Sequence, residues 1–256
     1  MVRSSSIRKI HKHPVKAFRI YRDVVVYRRR QCMKIGMIIA IKRELEAFIQ
    51  SGSDISEEQV CGTTIYHAKI GEHEVSAALS GYGEIDAAAV TQLLIYHTKC
   101  DIVMNFGVTG ALIPGLKVKD LFVVRRVCHY EYDVSPIDPV KKHQYEEYED
   151  EYIPLDAGLI ERAKAIVPEL QEVTVASGGK FIEKKEDKDE LASLGCQICD
   201  MEIAAIARIC LKNNVRCMSI KCISDTYEGD GGDFNQNVIS SAKAAFDLIT
   251  KLICEM

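Results

Sequence analysis

The chain has 256 residues, of which 47% are hydrophobic, so it is long enough to bury a sizeable core within a single α/β domain. No apolar run approaches the roughly 18 residues that a membrane-spanning helix needs, so no transmembrane helix and no membrane partner are predicted. The net charge is −4. Residues 1–32 hold ten Lys and Arg against one acid (+9), so residues 33–256 have a net charge close to −13. This acidic charge argues against an enzyme that acts on nucleic acid.

Residues 1–32 are basic, contain serine and lack the long apolar core of a secretory signal. This composition loosely fits a transit peptide, and a basic arm that binds nucleic acid or membrane is a further alternative. Met33 begins MKIGMIIAI, which is typical of a natural N-terminal strand. We therefore expect residues 1–32 to be a disordered extension or an unused upstream start, and residues 33–256 to form the functional domain.

Beyond residue 32, short runs rich in Val and Ile alternate with helical patterns. The predicted strands are Lys34–Ile41, Thr63–Lys69, Glu74–Leu79, Asp101–Phe106, Asp120–Val127, Glu172–Ala176 and Arg216–Ser224. The predicted helices are Lys42–Gln50, Ile85–His97, Ala157–Val167, Asp187–Ser193, Ile203–Asn213 and Val238–Cys254. This alternation predicts a three-layer α/β/α fold with a central mixed sheet. Two acidic segments, Tyr145–Tyr152 and Glu228–Asp233, are predicted to be loops beside strands, where α/β sheets place ligands.

Signatures of several enzyme classes are missing, namely GxGxxG, GxxxxGK[ST] and GxSxG. His129 and His143 lack the spacing of metal ligands, so no metal site is predicted from them. Cys196 and Cys199 form a single CxxC, a weak indication of zinc or redox chemistry, and a packed strand edge is the preferred interpretation. The ten cysteines are scattered and mostly lie in apolar runs, which indicates reduced thiols in the cytoplasm.

Three acids sit where apolar strands end. Glu44 follows the first strand, Glu202 follows Cys199–Met201, and Asp225 closes the strand that ends at Ser224. Carboxylates at the carboxyl ends of parallel strands converge on one crevice, and glycines in nearby turns let the backbone approach a ligand. Taken singly, each acid could equally be a helix cap or a surface charge.

A series of short motifs occurs in a fixed order along residues 33–256. The motifs are MKIGMIIAIKRELE (33–46), SGYG (80–83), NFGVTGAL (105–112), KVKD (117–120), YDV (132–134), SGGKFI (177–182), DMEIAAIA (200–207) and ISD (223–225). The ordered set resembles the nucleoside phosphorylase/nucleosidase superfamily over its whole length. Within that superfamily it is most similar to the 5′-methylthioadenosine/S-adenosylhomocysteine nucleosidases. The resemblance implies hydrolysis of the N-glycosidic bond of a purine nucleoside.

The resemblance also implies a role for each acid. Asp225 would protonate or hydrogen-bond N7 of the leaving purine, which requires a raised pKa. Glu44 would orient or activate the attacking water, and Glu202 would bind the ribose hydroxyls with Met201 packed on the sugar. No metal or cofactor is implied, because an acid and a bound water suffice for this reaction.

Other positions would form the substrate pocket. The backbone of Phe181 and Ile182 would read the adenine edge, with the Phe181 ring stacked on the base. The residues expected around the 5′ substituent are Phe234, Ile41 and Val134. The predicted substrate-binding set also contains Gly107, Ser224 and Lys221.

The chain departs from the family pattern at several positions, which leaves the 5′ substituent of the nucleoside open. Lys221 stands where an arginine is common, and it keeps the charge but loses the fork geometry. Gly179 replaces a common aspartate, and Tyr82 is bulkier than the usual aliphatic residue. The loop from Ser135 to Tyr152 is longer and more acidic than expected and could cover the 5′ pocket.

Three alternatives remain open at this point. A phosphorylase of the same fold would need cations for phosphate, for which Arg43 and Lys221 are the obvious candidates, but Glu44 would repel the phosphate, so hydrolysis is favoured. The nucleoside could instead carry another 5′ group, as futalosine does. A non-catalytic nucleoside sensor is disfavoured because all three acids are retained. The resemblance implies a homodimer in which a neighbouring loop contributes to the pocket, and no nucleic-acid partner.

Overall fold

The computed structural model describes residues 32–51 and 54–256. The prediction that residues 1–32 form a disordered extension therefore falls, except for Cys32, on residues outside this part of the chain. The described strands are β1 (Lys34–Ile39), β2 (Ser56–Val60), β3 (Thr63–Ile70), β4 (His73–Leu79), β5 (Ile102–Ala111), β6 (Leu121–His129), β7 (Ile153–Pro154), β8 (Gln171–Ser177), β9 (Ile198–Asp200) and β10 (Arg216–Asp225). The helices are α1 (Lys42–Ser51), α2 (Glu84–Thr98), α3 (Ala157–Ile166), α4 (Lys185–Ser193), α5 (Ile203–Lys212) and α6 (Gly231–Glu255).

The strands form one mixed sheet, which confirms the predicted fold class. β1 lies parallel between β4 and β5, and the antiparallel strands β3 and β2 extend the sheet beyond β4. On the other side of β5 the pairing closes on itself, because β5 pairs with both β10 and β9, and β6 and β8 link those two. Five strands therefore form a closed ring, a feature that the local sequence pattern did not reveal.

Two pairs of helices cover the sheet. α1 packs on α6, and Phe48, Phe106 and Phe246 bring these helices against β5. The second pair is α2 and α5, which contact each other as well as β1 and β10. β1 and β5 are buried along almost their whole length, as expected for strands whose two faces are both covered. No helix in the described residues is long and apolar enough to span a bilayer.

Several element boundaries differ from the sequence predictions. β2 and β7 were not predicted, and β2 carries the largely exposed sequence SEEQV, which has no apolar alternation. α6 begins at Gly231 rather than Val238, so the segment Glu228–Asp233 is only partly a loop. The Asp230 side chain causes this early start, because it accepts hydrogen bonds from the N–H groups of Gly232 and Asp233 at the helix N-terminus.

Candidate active site

A cleft opens where β1, β5, β9 and β10 end. Its walls include nine of the residues that the sequence analysis placed in a substrate site, namely Ile41, Glu44, Phe181, Ile182, Met201, Glu202, Ser224, Asp225 and Phe234. Residues from chain positions almost 200 apart thus meet in one cavity. This convergence is what the rule for strand carboxyl ends predicts.

Glu44 lies in the first turn of α1 and is 2% exposed. Its Oε1 accepts a hydrogen bond from the Val108 N–H at 2.8 Å, and its Oε2 accepts one from the Ile41 N–H at 3.2 Å. Burial raises the pKa of Glu44, while these backbone donors and the Lys221 cation oppose the rise. Both carboxylate oxygens are therefore held in place by backbone donors at the floor of the cleft.

Gly107 does not line the cleft but lies directly behind Glu44. A Cβ at Gly107 would be 2.5 Å from Oε1 of Glu44, so any larger residue would collide with this carboxylate. Gly107 is therefore not among the residues that line this cavity, although the sequence analysis placed it in the substrate-binding set. Its glycine provides the space that the Glu44 side chain occupies.

Asp225 is the last residue of β10 and is 2% exposed. Its Oδ1 accepts a hydrogen bond from the Ser224 hydroxyl at 2.7 Å, and its Oδ2 lies 2.7 Å from the position a Cβ would take at Gly110. Burial is the largest cause of the raised pKa of Asp225, and the Ser224 hydroxyl and Lys188 oppose it. A carboxyl group in this setting keeps its proton at higher pH than an exposed aspartate does.

Glu202 precedes the first residue of α5 and is 6% exposed. Its Oε1 accepts a hydrogen bond from the Gly83 N–H at 2.9 Å, which ties the SGYG turn to the cleft. Burial and the neighbouring Asp200 carboxylate raise the pKa of Glu202 to about 7, and Lys221 opposes this rise. Glu202 thus joins the turn before α2 to the end of β9.

Lys221 lies beneath the cleft rather than in its wall. Its Nζ is 2.7 Å from Oδ2 of Asp200, and both side chains are almost completely buried. Burial alone would lower the pKa of Lys221, but the Asp200 and Glu202 carboxylates outweigh it and raise the pKa. Lys221 therefore does not line the cavity as predicted, and it acts on Glu44 and Glu202 through its charge.

Asp200 is a cleft residue that the sequence analysis did not single out. It lines the cavity and also accepts hydrogen bonds from the Ile203 N–H at the start of α5. The only available sequence signal was its place in DMEIAAIA, directly before Met201 and Glu202. Its ion pair with Lys221 joins residues that are 21 positions apart on different strands, which local pattern does not reveal.

Two aromatic rings meet at the wall of the cleft. Phe181 and Phe234 contact each other edge to face, with ring centroids 5.6 Å apart, and Phe181 is 43% exposed while Ile182 is buried. The Arg43 guanidinium lies 5.6 Å from the Phe234 centroid and donates to Oδ1 of Asn235. The predicted pairing of Phe181 with Ile182 in the cavity wall is therefore present, and Phe234 joins it from α6.

Val134 does not line the cleft within the described chain. It lies at the start of the long loop, which is anchored by a stack in which the rings of Tyr132 and Tyr145 are 3.9 Å apart. The Tyr145 hydroxyl is hydrogen-bonded to Nδ1 of His129 at 2.6 Å, and the Arg208 guanidinium lies 3.9 Å from the centroid of the Tyr145 ring. The loop therefore packs on β6 and α5, so it does not place Val134 in this chain's own cavity.

The CxxC cysteines are both buried. Cys199 belongs to β9 and lines the cleft, and Cys196 lies just before this strand. Burial, helped by the Asp225 and Asp200 carboxylates, raises the pKa of the Cys199 thiol, which leaves it a poor nucleophile. No cluster of three or more potential metal ligands occurs among the described residues.

Comparison with known proteins places these features in context. Residues 34–254 match the model of the family described as the Phosphorylase superfamily. A 5′-methylthioadenosine/S-adenosylhomocysteine nucleosidase of Shewanella denitrificans is 29% identical, covering 88% of this chain and 100% of the relative. An aminodeoxyfutalosine nucleosidase of Campylobacter jejuni is 27% identical, covering 87% and 99%. A solved 5′-methylthioadenosine/S-adenosyl homocysteine nucleosidase of Helicobacter pylori superposes with a TM-score of 0.82 at 27% identity, covering 88% and 100%.

Proposed function

The chain belongs to the phosphorylase superfamily, and we propose that it hydrolyses the N-glycosidic bond of a purine nucleoside and releases the free base. One observation carries this proposal: Glu44, Glu202 and Asp225 meet in one buried cleft, each with a raised pKa. Cleavage of this bond passes through a cation-like sugar and a purine that leaves after protonation. A site that holds both a protonated acid and a water-binding carboxylate suits this chemistry.

Asp225 is the acid in this proposal. Its carboxyl proton is delivered to N7 of the purine as the glycosidic bond breaks, so that a neutral base departs. The burial that raises its pKa keeps this proton available, and the Ser224 hydroxyl fixes the orientation of the carboxyl group through Oδ1. Oδ2 is then the oxygen that faces the ligand.

Glu44 binds the attacking water. Its two oxygens accept from the Val108 and Ile41 N–H groups, and each keeps a lone pair that can accept from a water in the cleft that Glu44 lines. Fixed backbone donors favour the ionised form of Glu44, which can then take a proton from the water as it attacks. Glu202 binds the ribose hydroxyls, and the Met201 side chain packs on the sugar.

The purine lies against Phe181 and Ile182. Their backbone groups read the edge of the base, and the Phe181 ring, at 43% exposure, has a free face for stacking. Ile41 and Phe234 surround the 5′ substituent. We place Val134 in the 5′ pocket of a second copy of the chain, because it does not reach the cleft of its own chain.

Hydrolysis rather than phosphorolysis follows from the cations near the cleft. Lys221 is paired with Asp200, and Lys180 is paired with Asp187 at 2.5 Å. Arg43 donates to an asparagine and is outside the cavity wall. Among the described residues the cleft therefore offers phosphate no unpaired cation, and an ionised Glu44 would repel it.

The first substrates to consider are 5′-methylthioadenosine and S-adenosylhomocysteine, the compounds in the name of the Shewanella relative. An aminodeoxyfutalosine-type nucleoside is the second candidate, because the Campylobacter relative is almost equally similar. Tyr82 supports keeping this alternative: it lines the cleft and is 60% exposed, so its bulky ring can shape the 5′ end.

We also propose a cytoplasmic homodimer. Seven of the ten cysteines are buried free thiols in the described part of the chain, in keeping with a reducing compartment. Ile85 and Ile137 are large apolar side chains that are 87% and 82% exposed. A second copy that covers them would bring its own long loop, with Val134, towards the cleft.

The test is the release of adenine from 5′-methylthioadenosine, measured first in phosphate-free buffer and then with phosphate added. Release that does not depend on phosphate supports the nucleosidase. Release only with phosphate would make the enzyme a phosphorylase and redirect attention to Arg43 and Lys221. If neither buffer gives adenine, an aminodeoxyfutalosine-type nucleoside is the next substrate to assay.

A further inference from the structure

A buried lysine lies behind the proposed acid. Lys188 belongs to α4 and is 1% exposed, although the sequence around it, KKEDKDE, has the composition of a solvated helix face. Its Nζ donates to the backbone carbonyls of Thr226, Tyr227 and Gly229 at 3.1, 3.0 and 2.9 Å. All three ammonium protons thus have acceptors, which is the condition under which a buried lysine is tolerated.

These three carbonyls belong to one turn with a special place in the chain. The turn Thr226–Gly229 follows Asp225 directly, and it is closed by a hydrogen bond from the Gly229 N–H to the Thr226 carbonyl at 2.9 Å. A few residues later α6 begins, and its first turn carries Phe234. The conformation of this turn therefore determines where both Asp225 and Phe234 point.

The N-terminus of α4 follows the segment that we propose binds the base. Phe181 and Ile182 come shortly before the helix. A second contact reinforces the link to the turn, because the Tyr227 hydroxyl donates to Oδ1 of Asp189 at 2.5 Å. Lys188 thus joins the base-binding segment to the acid across 37 residues of sequence.

We propose that Lys188 is a positioning residue for the reaction: its ammonium group holds the turn Thr226–Gly229 so that Asp225 and Phe234 face the cleft. This proposal rests on the proposed function for its catalytic meaning. The three hydrogen bonds from Lys188 to the turn do not depend on the identity of the substrate, because they all lie within the chain.

The charge of Lys188 adds a consequence for pH. The groups that act on the pKa of Asp225 are the Ser224 hydroxyl from β10, Lys188 from α4 and Asp233 from α6. The Asp225 carboxylate in turn raises the pKa of the Cys199 thiol in β9. Lys188 is the cation of this set and favours the Asp225 carboxylate, while burial and Asp233 disfavour it. Removing the cation raises the pKa of Asp225 further, so the acid stays protonated, and the enzyme active, to higher pH.

The experiment compares Lys188→Met and Lys188→Gln with the wild type. Lys184→Met is the matched control, since Lys184 is exposed and lies four residues earlier. Two quantities are measured: hydrogen exchange of the peptide that covers residues 226–234, and the pH profile of adenine release in phosphate-free buffer. Glutamine keeps two amide donors, so Lys188→Gln provides both readouts even if the methionine variant does not fold.

We expect faster exchange of the 226–234 peptide, a kcat lowered about tenfold by misplacement of the acid, and a basic limb moved up by roughly one pH unit. The Lys184→Met control should match the wild type in all three. A lowered melting temperature with unchanged exchange and an unchanged basic limb would overturn the proposal and leave Lys188 a packing residue. If the wild type releases adenine neither from 5′-methylthioadenosine nor from an aminodeoxyfutalosine-type nucleoside, the proposed function fails, and the exchange data alone then decide whether Lys188 holds the turn.

Discussion

Replacing Glu44 by glutamine is the sharpest test of the hydrolytic site, because the side chain keeps its size. In the wild type both oxygens accept from backbone N–H groups, at 2.8 Å from Val108 and 3.2 Å from Ile41. Glutamine has one oxygen, so one of these donors would face the new NH₂ group. The side chain also loses its ability to take a proton from water.

The expected magnitude follows from these losses. A general base accelerates a reaction by roughly 10²–10⁴-fold, so we expect kcat of Glu44→Gln to fall by about that factor. This corresponds to an increase of about 3–5 kcal/mol in the activation free energy. KM should change little, since the ribose is held by Glu202. The free energy of unfolding should change less than activity: the lost hydrogen bond costs about 1.5–3 kcal/mol, and removal of a buried charge with a raised pKa offsets part of it.

The assay measures adenine release from 5′-methylthioadenosine in phosphate-free buffer over a range of substrate concentrations, with thermal unfolding of each variant. Glu46→Gln is the matched control, because Glu46 is exposed on the same helix two residues later. It should retain wild-type kcat. A Glu44→Gln variant that keeps more than about a tenth of wild-type kcat would refute the assignment of Glu44 as the group that activates water.

Two further predictions concern the other carboxyl groups of the cleft, and a third concerns the glycine behind Glu44. Asp225→Asn should keep substrate affinity and lose about 10²–10⁴ in kcat, measured by isothermal titration and adenine release, because the amide can donate to N7 but cannot protonate it. Unchanged turnover would remove Asp225 from the mechanism. Glu202→Gln should raise the free energy of unfolding at pH 8 and leave it nearly unchanged at pH 4: the pKa of Glu202 is raised from 4.5 to about 7, so its ionisation across that window opposes folding. Urea unfolding of both proteins at both pH values measures this difference, and equal stabilities at pH 8 would contradict it. Gly107→Ala should abolish turnover, because the added Cβ lies 2.5 Å from Oε1 of Glu44; normal kcat would show that this carboxylate need not stay in place.

The carboxyl-end rule, together with the ordered motifs, predicted from the sequence that the three acids lie together. Glu44, Glu202 and Asp225 each follow an apolar run, and the sheet does place them in one cleft. The order of the elements and the mixed character of the sheet were also predictable, because buried strands and amphipathic helices have distinct periods. Closure of five strands into a ring was not predictable, because the pairing between β5 and β10 gives neither strand a distinctive sequence pattern.

The errors have a common physical origin in long-range polar contacts. The sequence placed Lys221 beside the substrate, and the structure pairs it with Asp200 beneath the cleft. Lys188, which the sequence analysis did not single out, has the same kind of partners: it lies in a segment of alternating charge, yet it donates to carbonyl groups 38–41 residues away. Val134 is a different case: it lies outside the cleft of its own chain, and only the homodimer that we propose would bring it to the cleft of a second copy.

The assignment of acid and base follows from the environments of the two carboxyl groups rather than from their distance to the ligand. Both are buried, and burial raises the pKa of each. Glu44 directs both oxygens at backbone N–H groups, which cannot accept a proton and therefore favour the carboxylate. Asp225 receives a single bond from the Ser224 hydroxyl at Oδ1, and its Oδ2 lies beside Gly110. The mechanism that we propose therefore assigns the proton to Asp225 and the ionised carboxylate to Glu44, the arrangement that protonation of a leaving purine and activation of a water require.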